Sequence, residues 1–337
     1  MAIAVSSFGD FEGQRVDEAV LISDSGVCVK LLNWGVVVRD WQVPVADGLR
    51  SVVLGFDNIS AYVEHSPYFG AVVGRVANRI KGAQFKFGGQ TYSLDANEGG
   101  DQLHGGSRGL SQQVWKMEPD SVANVIKFSL DSPAGEMGYP GNVHFEAIYS
   151  LSGNKLRLDL SATTDEETPI SVVQHQYFNL GATNSVIDHE VHLPSSVART
   201  ESDDQLLVTG VISPTNGTKY DFLSPRTMRE PDGTPIEYDL NMVLATGRNL
   251  ADPIAIARGE DRALTLKLWS DQPGLQVYNG VTTNVSVPGL NGKIYAKHSG
   301  LCFEDQMFPD AMNQLHFPNI VHSPDKPYAH WCAFEIA

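Results

Sequence analysis

The chain has 337 residues, 42% hydrophobic and 19% charged, with 31 glycines and 18 prolines; this excludes disorder and collagen-like repeats and supplies ample material for a packed core. Its 24 Lys and Arg stand against 40 Asp and Glu, for a formal charge of -16, so its field repels phosphate backbones and anionic lipid surfaces. Neither nucleic acid nor a membrane is expected as a partner.

The opening MAIAVSSFGDFEGQ has no basic segment and no long apolar run, and no later stretch is long enough to span a bilayer. Cys28, Cys302 and Cys332 are an odd number, lie far apart and form no C-x-x-C, so a disulfide framework and a thiolate metal site are both unsupported. A reducing, cytoplasmic setting is expected.

From the N-terminus onward, short alternating segments recur. DNISAYVEH is the best candidate for a helical turn. QFKFGGQTYSL places Phe85 and Phe87, then Tyr92 and Leu94, around Gly88-Gly89 and predicts a hairpin. VIKFSL is a further strand. EAIYSLSGNKLRLDLSAT predicts a second hairpin, with Leu156, Leu158, Leu160 and Ala162 alternating with polar residues beyond a Ser-Gly-Asn turn. ALTLKLWS puts Leu264, Leu266 and Leu268 on one face of a strand. No stretch carries a sustained 3.6-residue apolar stripe, no propeller or solenoid period repeats, and no linker divides the chain. The expectation is all-β: one large antiparallel β-sandwich with few short helices, a single domain over residues 1–337.

Polar and aromatic residues that break the strand pattern concentrate in a few places. YFGAVVGRVANRIKG carries Asn78 and Arg79; DQLHGG carries His104 before two glycines that allow a loop to approach a ligand closely. In SVVQHQYFNLG, period-2 geometry puts His175 on one face with Ser171, Val173 and Tyr177. YDLNMVL adds Asp239 and Asn241, LQVYNG adds Gln276 and Tyr278, and SGLCFEDQMFPDAMNQ adds Glu304, Asp305 and Gln306. Each has a plain structural alternative: a core histidine for His175, a turn for His104, an Arg79–Asp239 ion pair. Glu304 fits the plain reading least, because alternation places it with Cys302 and Phe308, and a buried carboxylate without a partner is costly.

HEVH at 189–192 has the wrong spacing for a zincin helix, GAVVGR lacks the end of a phosphate loop, and there is no G-x-S-x-G. No metal and no cofactor is indicated. Asn, Arg, Asp, Gln and His together suit a neutral, hydroxyl-rich ligand such as a sugar. One carboxylate and one imidazole suffice for proton transfer at a hemiacetal.

GRVANRI, LHGG, TPISVVQHQYFNLG, LQVYNG and SGLCFEDQMFPDAMNQLHFPN, in this order over some 240 residues, resemble the galactose mutarotase family of aldose 1-epimerases. The resemblance implies a large β-sandwich that interconverts the α and β anomers of a free aldose without a cofactor. It implies Glu304 as general base at the C1 hydroxyl, His175 as general acid at the ring oxygen, with a pKa near neutrality, and His104 assisting there. Asn78, Arg79, Asp239 and Gln276 match sugar-binding positions. A sugar-binding protein of the same fold without turnover is the alternative, and a two-carboxylate glycosidase using Glu304 and Asp239 a third. The partner expected is a small-molecule aldose, acted on by a monomer or homodimer. Gln174, Leu240 and Asp305 depart from the family's usual residues and put substrate choice in question.

Overall fold

A computed structural model describes residues 3–337. Three antiparallel sheets carry the architecture. The first holds five strands in chain order, Ala4–Phe11, Gln14–Ile22, Cys28–Leu32, Val38–Val45 and Gly48–Ser51. The second has eight strands, in the order Lys116–Asp120, Val125–Ser132, Val143–Ser152, Lys155–Thr164, Tyr328–Ile336, Thr265–Ser270, Ala255–Arg258 and Glu190–His192. The third has six: Tyr177–Phe178, Leu301–Gln306, Gly274–Tyr278, Asp239–Leu244, Ser196–Ser202 and Val208–Pro214. The all-β sandwich expected from the alternation is the architecture found.

Local rules explain the pieces. Gly88 and Gly89 both have positive φ, +59° and +79°, which a two-residue hairpin turn demands, and the flanking strands bring Phe85 onto Tyr92 as a stacked pair 5.1 Å apart. The predicted helix is Ile59–His65; Asn58 caps it, its Oδ1 accepting the Ala61 N–H at 2.8 Å. In the strand Lys155–Thr164, Leu156, Leu158, Leu160 and Ala162 are all buried, as their alternation predicts.

The core lies where the inner faces meet. Leu301 and Phe303, Leu275 and Val277, and Leu240 and Met242 from the six-stranded sheet pack in one apolar cluster with Phe145, Leu158, Leu266 and Phe334 of the eight-stranded sheet. Because side chains alternate, the other face of the six-stranded sheet receives Asp239, Asn241, Gln276, Tyr278, Cys302, Glu304 and Gln306. A polar floor on one side of the sheet follows from an apolar core on the other.

One expectation is revised. Residues 171–177 are not one strand: Val173–Gln174 pairs with Val72–Val73, and Tyr177–Phe178 with the start of Leu301–Gln306. His175 lies in the crossing between them. Its N–H donates to the Ala71 carbonyl at 2.8 Å and its own carbonyl accepts the Gly70 N–H at 3.0 Å, so its backbone is fixed despite the break. Among the described residues, no helix is long and apolar enough to cross a membrane.

Candidate active site

The polar floor lies at the bottom of a cleft of about 220 Å³, lined by Asn78, Arg79, His104, His175, Asp239, Gln276 and Glu304. All seven residues anticipated from the sequence therefore converge. Tyr68, Glu98, Tyr278 and Thr282 complete the walls. A cleft of this size is smaller than a drug-sized pocket and suits a ligand of one sugar ring.

Register builds the floor. Glu304 is the direct cross-strand partner of Gln276, which in turn pairs with Asn241, while Asp239 pairs with Tyr278. Gln276 Nε2 donates to Asp239 Oδ1 at 2.6 Å, and beneath them Gln306 Nε2 reaches Asn241 Oδ1 at 3.3 Å and Gln276 Oε1 at 3.4 Å. These amides hold Asp239 and Gln276 in place before any ligand arrives.

The opposite wall comes from loops. Strand pairing of Arg79–Ile80 with Gln102–Leu103 brings Asn78 beside His104, and the His104 N–H donates to the Asn78 carbonyl at 3.1 Å. The Asn78 N–H returns a bond to His104 Nδ1 at 3.2 Å. With Nδ1 an acceptor, neutral His104 carries its proton on Nε2 and presents a donor. Asn78, His104 and Tyr68 all have left-handed backbones, at φ +61°, +51° and +67°. Strain of that kind collects at functional sites, and it is least expected in a bulky residue such as Tyr68.

Gly105 plays a different part from the one its position suggested. A Cβ there would fall 1.9 Å from the Gly74 carbonyl oxygen, so the glycine permits two backbones to touch and not a loop to meet a ligand. Arg79 lines the cleft and is also half of an ion pair, the plain alternative, though with another carboxylate: its guanidinium bonds both oxygens of Glu98, at 2.6 and 3.0 Å, and not Asp239. Sequence reasoning missed Glu98, although a carboxylate in the Gly-rich loop leading to His104 was a usable signal. Tyr68 gave none.

At the centre, His175 Nε2 lies 3.5 Å from Glu304 Oε2, and both side chains are buried. The His175 ring stacks on Tyr177 at 5.0 Å and stands 5.1 Å from the ring of His104. Neither His175 Nδ1 nor Glu304 Oε2 has a hydrogen-bond partner among the described residues.

Electrostatics revises the expected protonation. Burial pushes His175 down to about 3, not near neutrality. Burial also lifts Glu304 well above the usual carboxyl range, with the Asp239 charge adding to the rise, Arg79 opposing it and Asp305 adding again. His104 is driven down by burial and by the neighbouring His175 and Arg79. Asp239 is raised by burial and partly restored by Arg79 and Gln276. The Glu304–His175 pair thus holds one proton, resting on the carboxyl. Donor atoms of His104, His175 and Glu304 lie within 4.8 Å of one another. A metal ion would need the His104 Nε2 lone pair, which the Asn78 bond to Nδ1 disfavours.

The three departures from the family's usual residues all lie outside the cleft lining. Gln174 and Asp305 face the opposite side of their strands, and Leu240 packs in the core and borders a neighbouring groove. They do not form the cleft's surface.

The chain is similar to known proteins over nearly its whole length. A family model for aldose 1-epimerase matches residues 18–335. Galactose mutarotase from Mus musculus is 35% identical with all of both chains covered, and that from Homo sapiens is 36% identical over 96% of each. An aldose epimerase homologue from C. elegans superposes with a TM-score of 0.89 at 25% identity, over 95% of this chain and 98% of that one. With its match over nearly the whole sequence and the same sheet architecture, the chain belongs to the aldose 1-epimerase family.

Proposed function

We propose that the protein is an isomerase that interconverts the α and β anomers of a free aldose, with Glu304 and His175 as its acid–base pair. The observation that carries this reading is the 3.5 Å approach of His175 Nε2 to Glu304 Oε2 at the bottom of a one-ring cleft. The forward step starts once the pair's one proton has crossed the 3.5 Å gap from Glu304 to His175: Glu304 then takes the proton from the C1 hydroxyl while His175 gives its own to the ring oxygen O5. The C1–O5 bond breaks and an open-chain aldehyde remains. Glu304 is then protonated and His175 neutral, the distribution that burial favours.

Rotation about C1–C2 turns the other carbonyl face toward the pair. Glu304 returns its proton to the carbonyl oxygen as O5 attacks C1, and His175 takes the O5 proton. Both groups recover their starting states, and no external proton is consumed. His104, with its proton on Nε2, donates to the same ring oxygen. Asp239, Gln276, Asn78 and Arg79 hold the remaining hydroxyls.

Galactose is the first sugar to test, since the relatives at 35–36% identity are named for it. Three unpaired cysteines support a reducing, cytoplasmic setting. Polarimetry of freshly dissolved α-galactose tests the activity: the protein accelerates the drift, and Glu304→Gln or His175→Asn slows it by about 10²- to 10⁴-fold. Saturable sugar binding without acceleration would assign a binding protein instead.

A further inference from the structure

Behind Glu304 the strand Leu301–Gln306 turns Asp305 into the core, fully buried among apolar neighbours. It does not stand alone there. His330, from the facing eight-stranded sheet, points at it, with Nε2 3.1 Å from Asp305 Oδ2. On its other side His330 Nδ1 lies 2.6 Å from Asp271 Oδ1. Two carboxylates therefore flank one imidazole in line, and the line ends on the residue next to the proposed base.

Such an arrangement is costly unless it is used. Neither Asp305 oxygen nor His330 Nε2 has a well-aligned hydrogen bond, so their 3.1 Å contact is one of charge, and a pair of buried charges is often replaceable by apolar groups at no loss of stability. Anchoring at this point ties the base-bearing strand across the core to the opposite sheet. With a carboxylate at each nitrogen, His330 is suited to hold both protons and act as a cation, not as a metal ligand.

We propose that Asp305, held through His330 to Asp271, is a positioning residue for the reaction: it anchors the strand that carries Glu304 and supplies a fixed negative charge directly behind that carboxyl. The inference rests on the reading of Glu304 as the base. The groups facing Glu304 are Gln276 from the neighbouring strand and Asp239 from the one beyond it, Arg79 from the short strand Arg79–Ile80, His104, His175, Tyr177 and Cys302, with Asp305 at the rear. Those around His330 are Asp305, Asp271, Gln272 and Cys332, with Arg157, Asp159 and Arg248 farther out. Of the charges near Glu304, Asp305 is the one outside the cleft, so it can be changed without touching the sugar's surroundings.

The working pair carries one proton, so kcat/KM falls on the alkaline side where Glu304 loses it. Removing the negative charge behind Glu304 favours its anion, and that limb moves to lower pH. The test is the pH profile of kcat/KM for Asp305→Asn, by polarimetry with the uncatalysed drift subtracted, alongside thermal melting. The expected result is an alkaline limb lowered by about one pH unit. A limb that stays in place, whatever the melting temperature does, overturns the proposal, because a purely structural Asp305 changes stability alone. Should Asp305→Asn not fold, Asp305→Ser carries the same prediction with a smaller side chain. With the limb moved, the folded variant is also expected to bind sugar by calorimetry with wild-type affinity and to turn over about tenfold more slowly. Glu304→Gln separates the two claims: full activity in it overturns the base assignment and this inference together, while inactivity in it with an unmoved Asp305→Asn limb overturns this inference alone.

Discussion

The side-chain amide of Gln174 donates to the backbone carbonyl of Phe303 at 2.9 Å, so the residues just before His175 and just before Glu304 are tied to each other behind the cleft. Gln174 Oε1 also accepts the Gln176 N–H at 3.1 Å. The proposed acid and base come from segments far apart in the chain, and this bond sets their spacing from the rear.

Gln174→Ala leaves the buried Phe303 carbonyl without its donor. The cost is about 1–3 kcal/mol in stability. Because the two reacting groups lose a shared support, kcat falls roughly tenfold while KM changes little. Urea denaturation and polarimetric progress curves read the two effects separately. Unchanged turnover would show that the backbone bonds of Gly70 and Ala71 hold His175 in place without this tie.

Glu98 orients Arg79 through both of its oxygens. Glu98→Gln removes one acceptor and the charge, so the guanidinium is held less firmly at the sugar-binding wall. KM is expected to rise by several-fold with kcat nearly preserved, since the role proposed for Arg79 is to hold hydroxyls and not to transfer protons. A fall in kcat at unchanged KM would place Arg79 in the chemistry.

Gly105 has φ +87°, and a Cβ there would collide with the Gly74 backbone. Gly105→Ala pays for both the left-handed backbone and the contact, at least about 1–3 kcal/mol. Its nearest neighbour in the chain is His104, so activity falls more than the loss of stability accounts for. Thermal melting and initial rates on the same preparation test this. A variant with wild-type rate and melting temperature would show that the loop relaxes freely.

Two of the buried histidines, His330 and His175, link stability to pH with opposite signs. Against the burial that lowers it, the Asp305 and Asp271 carboxylates lift His330 to about 9 from an ordinary value of 6.5. A raised value means that its contribution is complete below 6.5 and is lost as pH climbs through about 9, a loss on the order of 3 kcal/mol. His175, lowered to about 3 from 6.5 by burial, contributes above 6.5, and that contribution is lost as pH falls toward 3. Urea midpoints across this range are expected to peak near neutrality. The alkaline decline should be weaker in His330→Gln; an identical decline in that variant would remove His330 as its cause.

Several strands, their hairpin turns and the faces of their side chains were legible in the chain, because alternation and turn chemistry act between near neighbours; the break at 171–177 was not, since pairing with two distant segments makes it. Alternation put Glu304 with Cys302 and Phe308, a carboxylate out of place there, and the motifs marked all seven residues that the cleft gathers. Their partners were set by the packing of distant segments. Arg79 meets Glu98 and not Asp239, Gly105 meets a backbone and not a ligand, and Asp305 meets a histidine from the opposite sheet. Those contacts depend on sheet packing and loop path, which no short window encodes. The proton on the Glu304–His175 pair was equally hidden, since burial, a property of the whole fold, sets which of the two groups holds it.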